Sequence, residues 1–393
     1  MSKHSLLLLT LTSTALGAVA INAHAQATPS ADRWQAGVVL DGASTSRGLE
    51  LGARDKGLGL GHSDLLVRGA FNEHFSGEAI LGFHTEDKKL EKHIENAWVQ
   101  TRSLPYGLQV RAGRFASQIG YLNEVHPHAD DFTERPLLYR GFLGGHWYDD
   151  GLRVNWTAPT PFYLRFGAET FTGKKLVPEA TADSKSRVTT LNMKMGNDIS
   201  KSSSWQWGLS HVNNQREAVV EAHDHDASAE GHSHSHAARF SGKRMWVSDL
   251  VWKWAPDGNN RNQQLRVNWE YAQVSRINGS TDSSLRHGAS SLGAVWKFNP
   301  AWEVGVRTDW LRVNKPEVHD PTEGPEFFKG RLKENAIMVA YKPTHMQTLR
   351  LQLTQQRATS ANDEGEAIFA NPARRSIQLQ YVIGFGAHGA HSY

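Results

Sequence analysis

The stretch Ile377-Gln378-Leu379-Gln380-Tyr381-Val382-Ile383-Gly384-Phe385 decides the fold. In an extended chain, Ile377, Leu379, Tyr381, Ile383 and Phe385 share one face, while Gln378, Gln380 and Val382 share the other. A period of two predicts a strand with one apolar face and one mostly polar face. The pattern recurs upstream. Leu265, Val267, Trp269 and Tyr271 alternate with Arg266, Asn268 and Glu270. Trp302, Val304 and Val306 alternate with Glu303, Gly305 and Arg307, and Leu349, Leu351 and Leu353 with Arg350, Gln352 and Thr354. Alternating segments of about ten residues, separated by turn residues, are the pattern of membrane-spanning strands.

Extending the count predicts sixteen strands, near 33–44, 61–71, 74–84, 93–102, 107–115, 149–158, 161–170, 186–197, 203–214, 244–254, 263–275, 286–298, 301–313, 333–343, 346–357 and 373–385. Tight connections at 72–73, 103–106, 159–160, 299–300 and 344–345 alternate with long pieces at 45–60, 116–148, 171–185, 214–243, 314–332 and 358–372. Short turns on one side, long loops on the other and an even strand count predict an all-β, closed antiparallel transmembrane barrel. With the N-terminus in the periplasm, every long loop lies outside. Trp34, Trp156, Trp254, Trp302 and Trp310 sit at strand ends, where their amphipathic rings suit the headgroup level. Ordinary core aromatics of a soluble β-protein are the alternative.

The N-terminus sets the compartment. Lys3 and His4, the apolar run 6–21 and then Ala23-His24-Ala25 predict a secretory signal peptide, residues 1–25, cut before Gln26. Residues 26–393 then form a single barrel domain in the outer membrane of a Gram-negative bacterium. The 393 residues include no cysteine, so disulfides do not hold the fold. A closed barrel manages without them, because every strand is hydrogen-bonded on both sides. The formal net charge of +3 falls to +2 when Lys3 leaves, which is too little to imply nucleic acid. A charged fraction of 21% and a mean hydropathy of -0.51 fit a barrel with a wet lumen and also fit a soluble protein.

The most distinctive segment runs from Gly113-Arg114-Phe115 through Ile119-Gly120-Tyr121-Leu122-Asn123-Glu124 and His126-Pro127-His128-Ala129-Asp130-Asp131-Phe132. It continues with Arg135-Pro136-Leu137, Tyr139-Arg140 and Asp149-Asp150-Gly151. Together with the tail Gly386-Ala387-His388-Gly389-Ala390-His391, it resembles a family of porin-like outer-membrane proteins. That family is related in architecture to phosphate-selective porins and is associated with zinc uptake. The resemblance implies that this third external loop, 116–148, folds into the barrel and narrows it. Glu124, His126, His128, Asp130, Asp131, Glu134, Arg135 and Arg140 are then the expected constriction, and a ring of charges selects ions by sign. His126 and His128 with Asp130 and Asp131 either hold a divalent metal or pair with lumen arginines and fix the loop. Pairing is the simpler expectation.

Two further features carry chemistry. In the predicted register, Arg68, Arg111, Arg153, Arg165, Arg266, Arg307 and Arg350 face the lumen, as do Asp64, Glu169, Glu270, Glu303 and Asp309. A slight cationic excess favours anions; alternatively, arginine–carboxylate pairs brace the wall. A slip of one residue would move them all to the lipid side. The second feature is a His/Asp-rich tract in loop 214–243, with His223, His225, His232, His234 and His236. Such a composition binds labile Zn²⁺ through shifting ligand sets, and a solvated polar loop is the alternative. No other cofactor is required.

The function expected is a porin-like channel for passive diffusion of small hydrophilic solutes or ions, linked to zinc acquisition. Its partners are outer-membrane lipid, the barrel-assembly machinery through the C-terminal strand, and the solutes themselves; the architecture also allows a homotrimer. A surface metal-binding protein or adhesin without conductance shares these features. A barrel hydrolase would need a compact Ser/His/Asp group, which the sequence does not suggest. A gated receptor would need a plug domain and more strands.

Overall fold

The structure is a computed structural model that describes residues 34–178, 180, 187–218, 237–318, 325–359, 368–369 and 373–386. The expected signal peptide, the tract with His223, His225, His232, His234 and His236, and the tail from Ala387 onward lie outside the described residues. The first half of the sheet comprises β1 (Gln35–Thr45), β2 (Gly57–Leu60), β3 (Ser63–Ala70), β4 (Phe75–Glu86), β5 (Lys89–Thr101), β6 (Leu108–Ala116), β7 (Tyr148–Thr157), β8 (Tyr163–Phe171) and β9 (Val188–Ser200). The second comprises β10 (Ser203–Asn214), β11 (Gly242–Trp254), β12 (Gln264–Ile277), β13 (Arg286–Asn299), β14 (Trp302–Glu317), β15 (Glu326–Thr344), β16 (Gln347–Thr359) and β17 (Ala373–Gly386). Among the described residues one short α-helix, α1 (Leu137–Phe142), interrupts them.

From β3 onward each strand pairs antiparallel with the next, and β1 closes the circle on β17, with Gly37 opposite Gly386 and Thr45 opposite Gln378. Sixteen strands form the wall and β2 is an extra. It pairs with Gly42 to Thr45 of β1, above the part of β1 that pairs with β3. The sequence pattern places 57–60 inside the first long loop, because Gly-Leu-Gly-Leu is too short to show a period. Two other expected boundaries shift. β4 and β5 run on to a two-residue turn at Asp87 and Lys88, both at positive φ (47° and 63°), a backbone twist that suits a tight hairpin. β14 and β15 extend to a pairing of Glu317 with Glu326, so much of the expected loop 314–332 is strand.

The alternation sorts side chains between two environments. Leu349, Leu351 and Leu353 are 40–52% exposed, while Arg350, Gln352 and Thr354 between them are at most 2% exposed. Ile377 and Leu379 face out in the same way, and Gln378 and Gln380 face in. Outward Leu, Val and Ile recur on strand after strand, from Leu65 and Val67 to Leu349 and Leu351. An apolar surface that encircles the molecule is a lipid-facing band. Exposed tryptophans border it. Trp254 and Trp246 on β11, and Trp302 and Trp310 on β14, are pairs eight residues apart. Eight residues span about 26 Å of strand, or about 20 Å across a bilayer at a tilt of about 40°. Trp310 therefore marks the far girdle rather than a strand end.

The interior departs from the uniform polarity expected. The inward face is polar toward the short turns. Toward the long loops it becomes apolar. There Val188, Val212, Met245, Val247, Val274, Leu311, Val313 and Leu332 pack against Leu137, Leu138, Phe142 and Leu143 around α1, with Phe115, Trp147 and Phe171. A helix inside a barrel buries its apolar side chains only if the wall offers an apolar partner.

Candidate functional site

The connection between β6 and β7, residues 117–147, turns into the barrel and meets the wall on every side. Near β7 and β8, Arg153 Nε donates to Glu169 Oε1 (2.6 Å) and Arg153 Nη1 to Glu124 Oε1 (2.9 Å). Ser117 Oγ and the Gln118 amide also donate to Glu169. On β9, Lys194 Nζ donates to the Gly120 carbonyl (2.9 Å). On β12, Glu270 accepts from the Tyr121 amide (3.0 Å) and from the Tyr139 hydroxyl, and Arg266 pairs with Asp131. On β14 and β15, Arg307 Nη1 donates to the Glu134 carbonyl, and Glu334 takes Arg140 (2.6 Å) and Arg307 (2.7 Å). On β16 and β17, Gln352 accepts from the Thr133 amide, Arg350 donates to the Asp130 carbonyl, and Gln378 Nε2 donates to Glu134.

All eight expected constriction residues thus lie in a loop inside the barrel, and several are committed to partners. Asp130 takes Arg135 at 2.8 Å, and burial pushes its carboxyl upward against that arginine. Burial acts the same way on Asp131 and Glu124, but cations outweigh it and lower both: Arg266 for Asp131, and Arg153 with Arg165 for Glu124. The seven lumen arginines of the sequence reading lie on the inward face, Arg68 half-buried and donating to Gln35. Arg153, Arg165, Arg266 and Arg307 are ion-paired; Arg111 donates to Gln100 and Arg350 to Gln380. Four of these arginines thus meet carboxylates and brace the wall and loop, while Arg111 and Arg350 donate to neutral glutamines.

A second constellation lies where the loop meets β3 and β5. His62 precedes β3, Asp64 lies on β3 and Glu95 on β5; His126, His128 and His146 come from the loop. Their ring nitrogens and carboxylate oxygens converge. His62 Nε2 is 3.3 Å from Asp64 Oδ1 and 3.1 Å from Glu95 Oε2. His126 Nδ1 is 3.2 Å from Asp64 Oδ2 and 3.2 Å from Glu95 Oε2. His128 Nδ1 is 3.1 Å from Asp64 Oδ2, and His146 Nδ1 is 3.9 Å from Glu95 Oε2. Burial pushes His62 down, but the Glu95 and Asp64 carboxylates override it and raise its pKa to about 9. His126 is raised in the same way, mainly by Asp64 opposing burial. Burial wins at His128 and His146, which are lowered.

The sequence leaves His126, His128, Asp130 and Asp131 either to hold a metal or, more simply, to pair with arginines, and for the aspartates it is pairing. The two aspartates face Arg135 and Arg266, so the metal grouping of these four is not formed. The carboxylates beside the two histidines come from the wall, more than thirty residues upstream. Sequence reasoning had placed Asp64 in the lumen but missed His62, Glu95 and His146. The available signal was the repeated spacing in His62-x-Asp64, His93-x-Glu95 and His126-x-His128, which puts both members of each strand pair on one face.

No protein-family model matches the chain. An uncharacterized protein of Aquifex aeolicus is 27% identical over 362 residues, spanning 86% of this chain and 70% of that protein. Among solved structures, OprB of Pseudomonas putida superposes with a TM-score of 0.55 at 13% identity, covering 90% of this chain and 94% of that one. An anion-selective porin of Comamonas acidovorans gives 0.52 at 11% identity, with coverages of 90% and 99%. The outer membrane channel DcaP of Acinetobacter baumannii gives 0.52 at 10% identity, with coverages of 90% and 96%. At these identities the likeness is one of fold: the chain has the architecture of a porin-like barrel.

Proposed function

We propose that the protein is an outer-membrane, porin-like channel of a Gram-negative bacterium that passes small hydrophilic solutes or ions passively, with the loop 117–147 as its constriction. The observation that carries this reading is the loop itself, drawn into a polar-walled closed barrel and tied to most of its strands. Its charged residues stand where a solute must pass, and such residues filter by size and sign. Homotrimeric assembly and a zinc-related role belong to the same proposal. So does the His-rich tract with His223, His225, His232, His234 and His236 as a depot of labile Zn²⁺ above the mouth.

One observation favours a second reading, a metal-binding barrel without conductance. The apolar side chains around α1 pack against the inward face of the wall at the long-loop end. Liposome swelling separates the two. Proteoliposomes in a series of sugars and amino acids should swell at rates that fall with solute size. Swelling no faster than protein-free liposomes, for every solute, would leave only the second reading.

A further inference from the structure

The histidine–carboxylate constellation has the geometry of a ligand shell. Tetrahedral bonds of roughly 2.0–2.1 Å to zinc place neighbouring donor atoms about 3.3 Å apart. Five of the separations described above lie between 3.1 and 3.3 Å. His62 Nε2, Asp64 Oδ1, Glu95 Oε2 and His126 Nδ1 are buried and face these neighbours without hydrogen-bond geometry. Buried imidazoles and carboxylates that meet as ion pairs without aligned hydrogen bonds offer a cation a ready set of donors. We propose that His62, Asp64, His126 and His128, assisted by Glu95 and His146, bind one divalent transition-metal ion of the zinc class, which staples the inward loop to the barrel wall.

The donor chemistry selects the ion. Imidazoles with carboxylates suit zinc and its neighbours, whereas magnesium and calcium prefer all-oxygen sets. Asp64 and Glu95 balance the two positive charges. His62 presents the same nitrogen to both carboxylates, so the donors describe one centre rather than two. The surroundings hold the ligands in place: His93 Nε2 hydrogen-bonds Glu95 Oε1 at 2.7 Å, and the His93 ring stacks on Tyr148. His62, Glu95 and His146 also line a cleft with His84 and Glu86, which gives an ion a route to the centre. Three ligands come from the loop and three from the wall region, so binding joins two parts of the chain that are far apart in sequence. The centre does not depend on the channel reading.

The test uses the full chain and a variant lacking residues 219–236, both stripped with chelator and then given Zn²⁺ or Co²⁺ alone. Both proteins should retain one ion per chain through gel filtration. Cobalt should give the visible absorption of a four- or five-coordinate site. His126→Ala with His128→Ala should weaken binding by more than roughly 100-fold, beyond the 10- to 100-fold cost of an outer-shell change. Asp64→Asn, which preserves shape, should abolish the rise in Tm that zinc gives the stripped protein. Heat-modifiable gel migration confirms that each variant forms a barrel. Loss of binding on deleting 219–236, or unchanged binding in both ligand variants, overturns the proposal.

Discussion

Arg153 shows how single side chains hold the loop. Its guanidinium is almost fully buried between Glu124 of the loop and Glu169 of the wall. Removing one partner of a buried pair strands the other charge, at roughly 3–5 kcal/mol. Arg153→Met should therefore lower unfolding stability by that amount in a denaturant titration, and Glu169→Gln added to it should recover part of the loss. Gly120 shows a backbone constraint. Its φ is +65°, and a Cβ there would meet the Tyr139 hydroxyl and Glu270. Gly120→Ala should cost about 1–3 kcal/mol, read as a lower Tm. The loop should also respond to acid. Glu124 and Asp131 are lowered in the folded protein, so their stabilisation is complete above the ordinary carboxylate range and is lost as pH falls through the lower folded values. Limited proteolysis of 117–147 should accelerate below about pH 4, as these carboxylates take up protons.

Strands were legible in the sequence because a period of two needs only local information. Leu349 to Leu353 and Ile377 to Phe385 announce a face, and the face they announce is the exposed one. Their register makes a direct prediction. Leu351→Arg puts a charge in the lipid band and should cost roughly 2–4 kcal/mol of barrel stability. Gln352→Ala, one residue along, removes the acceptor of the Thr133 amide together with the bonds to Thr354 and Gln378, and should loosen the loop while the barrel still inserts. What the sequence hid was whatever depends on distant pairing. Asp64 and Glu95 meet His126 only because the loop returns to β3 and β5. The apolar inward ends of β9 to β15 have meaning only once α1 is placed against them. β2 was invisible because four residues fix no period.

At the scale of the whole molecule, two structures share one wall. A closed barrel supplies the lipid-facing band and a polar lower lumen. A loop with its own helix and histidine cluster occupies the space inside and is tied to the wall by ion pairs. If the loop sets what passes, releasing it must change the flow. The direct measurement is single-channel conductance in planar bilayers, comparing the wild type with a protein whose segment 118–146 is replaced by a short Gly/Ser linker. Discrete small conductance steps for the wild type, severalfold larger with altered ion selectivity once the loop is removed, are the predicted result. Identical conductance in both proteins, or none in either despite a folded barrel, would contradict it.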